Sequence, residues 1–399
     1  MASSIYPALM LSSFEPLKAL KGKISAKIGD VLFRKVLVVT QFSFSVLLII
    51  GTLVITGQLN YIRSKNLGYD KSQTLAFWMR DLGSHYDAVR GELMKQPGVL
   101  SVTQSSSNLL DNQGITGDNS WDGKQPGQTF IVHPLSIDKD FITAFKMKMV
   151  EGKTFTGTVA DSTHFILNET AIREAGIKNP IGKSFRMGPT NGTIIGVVKD
   201  FHFASLKDKI APSVFYYGPK DYATIYIKTT GKDAQKVVKQ AGAMFKQYNG
   251  QYPYTPYFLD EVFDKLYKNE QQEEVLFNYF AGIAIFISCL GLLGLAAYTA
   301  QVRTREIGIR KVLGSSVSGI VGLLATDFIK LVFIAIVIAS PVAWYIMNNW
   351  LNGFAYKVGI SWTVFALAGI IAVVIAFATI SIQSIKAALT NPVKSLKSE

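Results

Sequence analysis

Leu276–Val302, LFNYFAGIAIFISCLGLLGLAAYTAQV, runs for 27 residues without an Asp, Glu, Lys or Arg, between Glu274 and Arg303. A helix rising ~1.5 Å per residue needs ~20 mostly apolar residues to cross a ~30 Å hydrocarbon core, so this stretch is long enough to span a bilayer. Core helices of soluble proteins seldom run so far without a charge. Three further windows carry the same signal. Leu37–Leu59 lies inside the uncharged segment between Lys35 and Arg63, Leu331–Tyr356 lies between Lys330 and Lys357, and Val358–Ile385 between Lys357 and Lys386. Lipid offers the backbone no hydrogen-bond partner, which makes helices the open-chain solution in all four. The first span starts too deep in the chain and runs too long to be the apolar core of a signal peptide.

Composition agrees with the windows. Of 399 residues, 49% are hydrophobic and only 17% charged, and mean hydropathy is +0.24. The net charge of +13 at first suggests a nucleic-acid binder. Its distribution excludes that reading. Residues 60–275 carry 26 Lys+Arg and 23 Asp+Glu, whereas the remainder carries 15 and 5, so most of the excess flanks the apolar windows. Basic residues mark the cytoplasmic ends of spans. Lys18, Lys21, Lys23, Lys27, Arg34 and Lys35 precede the first span, Arg303, Arg305, Arg310 and Lys311 follow the second, and Lys386, Lys394 and Lys397 follow the fourth. Both termini are thus expected on the cytoplasmic side, beside anionic lipid. Trp344, Trp350 and Trp362 suit an outer aromatic belt.

The expected fold class is an α-helical membrane protein with four transmembrane helices, one before and three after a large α+β extracytoplasmic domain. The expected divisions are a cytoplasmic segment 1–35, spans at 36–59, 276–302, 328–347 and 362–385, the outer domain 60–275, a cytoplasmic helix 303–316, and a cytoplasmic tail 386–399. Within the outer domain, Ser84 is a plausible N-cap for a helix to Gln96, and Lys232–Tyr248 reads as a second amphipathic helix. Strand-like runs fall at Thr129–Leu135, Thr193–Lys199, Ser213–Tyr217 and Ala223–Thr229. From Asp260 onward the pattern is helical with no breaker before Gly282, which predicts one helix continuing into the second span.

Chemistry is sparse. His85, His133, His164 and His202 are scattered without metal-ligand spacing, and Cys289 is alone in a span. Gly182-Lys183-Ser184 resembles the end of a phosphate loop, but the required first glycine falls at Ile177, so it is not one. No catalytic constellation, metal site or cofactor site is expected. None of the four windows holds an ionisable group of the kind that ion-driven carriers use.

The most informative segment is Arg303-Thr304-Arg305-Glu306-Ile307-Gly308-Ile309-Arg310-Lys311-Val312-Leu313-Gly314-Ser315-Ser316. As a helix it puts Arg303, Glu306 and Arg310 on one stripe, with Glu306 four residues before Arg310 in the favourable order. Val302, Ile309 and Leu313 form an apolar stripe beside it. Gly314 suits a left-handed C′ position, and Ser315 or Ser316 can cap the next helix.

This segment, with Gly291–Tyr298 before it, resembles the signature of the MacB/FtsX-like permeases of ABC transporters. Asn168-Glu169-Thr170, Asn179–Lys183 and Ile194–His202 are similar to that family's periplasmic core domain. The resemblance runs from Val36 to Lys397. It implies a non-catalytic permease subunit whose Arg303, Arg305, Glu306, Ile307, Gly308, Arg310, Lys311 and Gly314 form a coupling helix docking on a separate ABC ATPase subunit. It also implies a second permease module, and efflux, lipoprotein or peptide export, or envelope regulation through a periplasmic adaptor or envelope protein. Pro16-Leu17-Lys18-Ala19-Leu20-Lys21 is echoed by Pro392-Val393-Lys394-Ser395-Leu396-Lys397. In larger permeases of the family such a junction separates two four-span modules. On that reading residues 1–35 are the tail of a missing first copy, or the chain is a half-size member that works as a homodimer. The alternative from another class is a membrane-anchored sensor or scaffold without transport.

Overall fold

The computed structural model describes residues 28–388. The basic segment before residue 28 and the tail beyond 388, with the Pro16 and Pro392 repeats, lie outside the described residues. In chain order the elements are α1 (Ile28–Ser64), β1 (Thr74–Trp78), α2 (Tyr86–Met94), β2 (Val99–Ser105), β3 (Asn119–Trp121), β4 (His133–Ser136), α3 (Phe141–Ala144), β5 (Met149–Gly152), β6 (His164–Asn168), α4 (Glu169–Ala175), β7 (Ser184–Met187) and β8 (Thr190–Val198). They continue with β9 (Ser213–Tyr216), β10 (Thr224–Thr229), α5 (Ala234–Tyr248), β11 (Tyr257–Phe258), α6 (Leu259–Lys265), α7 (Lys268–Val302), α8 (Thr304–Val312), α9 (Val317–Leu351) and α10 (Trp362–Ala388). Helices α1, α7, α9 and α10 are long and apolar enough to cross a membrane. The sheet-rich α+β domain lies between the first and second of them, as the fold class predicted.

Two compact units divide the chain. Among the described residues one comprises 28–57, 273–350 and 359–388; the other comprises 58–272 and 351–358. In the helical unit, small residues at helical spacing bring backbones close, as helix packing in lipid requires. Ala335, Ala339 and Ala343 are buried on α9, and Ala368, Ala372 and Ala376 on α10. A Cβ at Gly291 would lie 2.3 Å from Gln41 Oε1, and Ser45 and Ser288 hydroxyls meet at 3.0 Å, so α1 and α7 pack through small and polar groups. Phe280, Phe286, Phe333, Val374 and Phe377 remain exposed, as lipid-facing side chains would be.

The outer unit has two sheets. The first, antiparallel throughout, has the order β11-β1-β10-β2, with Leu75 opposite Ile227 and Phe77 opposite Ile225. These four side chains pack under α2 and α5 with Val89, Leu93, Val237 and Phe245. The second sheet has the order β3-β7-β8-β6-β9-β4, with β5 added to β8. Its core gathers Phe165, Leu167, Phe185, Ile194 and Val214 against Ala171 of α4. Tyr226 from the first sheet meets Phe141 and Phe145 at 5.8 and 5.2 Å, and Phe141 meets Phe215 of the second at 6.1 Å, so edge-to-face rings join the layers.

Several sequence expectations change. The helix predicted from Asp260 breaks after Lys265: Tyr267 turns inward, almost fully buried, and its hydroxyl accepts the Leu206 amide at 2.7 Å. Ser84 is not a cap, because its hydroxyl donates back to the Asp81 carbonyl at 2.8 Å within a short 3-10 turn. Strand β4 starts at His133 rather than Thr129, and β1, β2, β3, β5, β6, β7 and β11 lie outside the four predicted runs. In TLAFW and HFILN the apolar residues, LAFW and FIL, are consecutive rather than alternating, because the centres of those strands are buried on both faces.

Candidate functional site

The corner between α7 and α9 is assembled from local rules. Helix α7 ends at Val302, Arg303 occupies the turn, and α8 follows from Thr304. The Thr304 hydroxyl donates to the carbonyls of Ala300 and Gln301, securing the turn. At the far end Gly314 has φ +88°, and the Ser315 amide donates to the Arg310 carbonyl at 2.9 Å, the Schellman closure that a glycine at C′ permits. Ser316 is the residue that caps α9: its hydroxyl accepts the Gly319 amide at 3.2 Å. The two helices are therefore separated by a defined reversal.

On α8 the Arg310 guanidinium donates to Glu306 at 3.0 Å, the i, i+4 pair read from the sequence. Arg303 does not join that stripe. Because it sits in the turn, it pairs instead with Asp327 of α9 at 3.1 Å. Asp327 escaped the sequence reading, although one signal was present: it is the only carboxylate between Glu306 and Glu399. Gly308 is buried, whereas Val302, Ile309 and Leu313 are exposed. The side chains of Arg305, Ile307 and Lys311 lie outside the described ones. At the same end of the helical unit, Arg34 of α1 stacks over the Tyr298 ring at 4.4 Å. The corner thus presents an ion pair and apolar side chains on a helix tied to α9 by one further ion pair.

In the outer unit the residues carrying the family resemblance are structural. Asn168 is fully buried; its Oδ1 accepts the amides of Ala171 and Ser213, and its Nδ2 donates to the Ala211 carbonyl. Asp200 accepts from the Thr170 amide and hydroxyl at 2.8 and 2.7 Å, and its own amide donates to Glu169. Asn168-Glu169-Thr170 and Lys199-Asp200 therefore interlock α4 with the end of β8. Gly182, φ +84°, lies in a turn closed by the Lys183 amide donating to the Pro180 carbonyl.

The four histidines sit apart. His85 stacks on Tyr248, His133 lies against Phe203, His164 pairs with Asp161, and His202 meets Tyr356. Among the described residues no cluster of three or more His, Cys, Asp or Glu could hold a metal. Burial, with Lys65 nearby, depresses the His202 imidazole to about 4, so the ring is neutral at pH 7. A polar cleft of about 680 Å³ opens between α2 and the loops after β4 and β9. At its floor Asp138 is buried, accepting from the Tyr86 and Thr103 hydroxyls and the Gln104 amide, and burial followed by the neighbouring Asp140 raises its carboxyl to about 6.

Known proteins match both units. Residues 37–243 match the MacB-like periplasmic core domain and residues 278–392 the FtsX-like permease C-terminal domain. The macrolide export ATP-binding/permease protein MacB of Chromobacterium violaceum is 25% identical over 195 residues, covering 45% of this chain and 30% of that protein. The uncharacterised ABC transporter permease YknZ of Bacillus subtilis is 22% identical over 191 residues, 45% of this chain and 48% of that one. The chain therefore spans less than half of the length of these relatives. Among solved structures, the periplasmic region of MacB from Actinobacillus actinomycetemcomitans is similar over 52% of this chain and 98% of that one, with TM-score 0.37 and 16% identity. The extracellular domain of YknZ is similar over 46% and 99%, with TM-score 0.34 and 15% identity. With the periplasmic core domain and the FtsX-like permease domain both matched, in that order along the sequence, the chain belongs to the MacB/FtsX-like family of ABC transporter permeases.

Proposed function

We propose that this permease subunit relays ATP-driven motion from a separate ATPase subunit, through α8, to its outer domain. Helix α8 is the coupling helix, with Arg303, Arg305, Glu306, Ile307, Gly308, Arg310, Lys311 and Gly314 as its working positions. The observation that carries this reading is the capped reversal at Gly314, which holds α8 between two spans with the Glu306–Arg310 pair and the Ile309 and Leu313 side chains turned out. A solvated loop has no need of a Schellman closure, a helix cap and exposed apolar side chains together. The termini and α8 lie on the cytoplasmic side and residues 60–275 outside, in keeping with the positive-inside rule. A second permease module, from a homodimer or a separate chain, completes the transporter. Its work is efflux, export of a lipoprotein or peptide, or envelope regulation with a periplasmic adaptor or envelope protein.

Exchanging the charges by Glu306→Arg with Arg310→Glu keeps the intrahelical pair but reverses the polarity offered to the partner. Purified with its ATPase in lipid nanodiscs, the double variant is expected to lose at least about tenfold in permease-stimulated ATP hydrolysis, equivalent to roughly 1.4 kcal/mol of coupling, while its thermal midpoint stays at the wild-type value. Retention of full stimulation refutes the assignment of α8. If no ATPase with a nucleotide-binding domain accompanies the chain, the membrane-anchored scaffold is the better reading.

A further inference from the structure

The segment Leu351–Val358, which links α9 to α10, belongs to the outer unit together with residues 58–272. It is built into that unit. Gln58, at the outer end of α1, is fully buried, and both ends of its amide are used: Nε2 donates to the Tyr356 carbonyl at 2.9 Å and Oε1 accepts the Val358 amide at 2.9 Å. On the other side the Ala355 and Tyr356 amides donate to the carbonyls of Lys207 and Leu206, at 3.0 and 3.2 Å. Side chains close the same junction. The Tyr356 ring meets His202 edge-on at 4.7 Å and lies under the Lys65 ammonium at 5.3 Å. Lys207 covers the Phe354 ring and pairs with Glu270, itself buried at the start of α7.

A short connection between two spans needs none of this. Four hydrogen bonds to four different main-chain groups make this segment a fixed part of the domain rather than a free surface loop. Gln58 is central because a single planar amide satisfies one donor and one acceptor of the same strap. Its separation of 298 and 300 residues from its two partners means that nothing local imposes the contact.

We infer that Gln58 and the 351–358 strap are positioning elements of the relay: they make the outer ends of the third and fourth spans, as well as those of the first and second, follow the outer domain. The chain crosses the boundary of the outer unit at Gln58, Gln272, Leu351 and Val358. The strap holds the chain at the last two crossings by hydrogen bonds within the outer unit. Displacement of α8 then reaches the outer domain through every span rather than through α1 and α7 alone. This rests on the relay proposed above for its functional part, whereas the clamp itself stands without it.

Hydrogen–deuterium exchange on the full chain in lipid nanodiscs tests both parts. Peptides covering 353–358 are expected to exchange at least about 100-fold more slowly than an unstructured loop. Gln58→Leu, which keeps the side-chain bulk and removes both hydrogen bonds, is expected to release that protection at least about tenfold while β1 and β10 retain theirs. In the ATPase complex, the same variant should keep basal ATP hydrolysis and lose the ATP-dependent change of exchange in the outer domain. Fast exchange at 353–358 in the wild type overturns the strap, and unchanged protection in Gln58→Leu overturns the role of Gln58. If the strap is released and the ATP-dependent change persists, the positioning role fails. A wild-type complex with no ATP-dependent change refutes the relay, and with it the positioning role, while the exchange data still decide on the clamp.

Discussion

Asp138 carries a carboxylate into the seam between the two sheets. It follows β4 of the second sheet, yet its oxygens accept from Thr103 and Gln104 of the first sheet and from Tyr86 of α2. Burial, followed in effect by Asp140, raises its pKa from 3.8 to about 6. The folded state therefore holds this proton more tightly than the unfolded chain does. That contribution to stability is complete below about pH 4 and is lost as pH rises through about 6, a swing on the order of 3 kcal/mol. Asp138→Asn does not titrate, so the stability of the wild type minus that of the variant, measured by urea unfolding, should fall by up to about 3 kcal/mol between pH 4 and pH 7. A difference that stays constant, or that shifts in favour of the wild type as pH rises, contradicts the assignment. The stretch Ser136-Ile137-Asp138-Lys139-Asp140 gives no hint of this, because the partners that bury Asp138 come from about 35 and 52 positions earlier.

At the scale of elements, α8 was legible and its mooring was not. Gly314, the serine cap and the Glu306–Arg310 pair follow from neighbours in sequence, so spacing alone predicts them. The Arg303–Asp327 bridge joins the turn before α8 to α9 across an intervening reversal. Both side chains are more than a third exposed, and such pairs contribute about 0–1 kcal/mol, too little to matter for folding. Its effect on the placement of α8 should exceed its effect on stability. Arg303→Asp sets two carboxylates side by side and is expected to lower ATPase stimulation severalfold with little change in melting temperature. Adding Asp327→Arg restores the pair with its polarity exchanged and should recover stimulation. No recovery in the double variant would mean that Arg303 acts through the ATPase surface instead. Helix α6 teaches the converse. Its separation from α7 has no glycine or proline to announce it, and the break exists because Tyr267 finds a buried site against Phe263 and the Leu206 amide.

At the scale of the whole molecule, the charge surplus and the apolar windows set a topology that can be tested directly. Protease added to intact cells whose outer membrane has been permeabilised is expected to cut within 60–275 and to spare α8. Cleavage confined to inverted vesicles would reverse the orientation.

The spans, the large domain between the first two, and the capped helix between the second and third are contained in the sequence, because hydropathy, glycine and capping residues act over one helix length or less. Even the motif residues Asn168 and Asp200 could be singled out from it, although their task, locking α4 to β8, could not. What required the tertiary structure was every contact between residues far apart in the chain: the aromatic seam of Phe141 and Tyr226, the Asp138 pin, the inward turn of Tyr267 and the Gln58 clamp on residues 351–358. The physical reason is common to all four. A buried amide, phenol or carboxylate is stable only where particular partners meet it, and three-dimensional packing, not sequence spacing, brings those partners together.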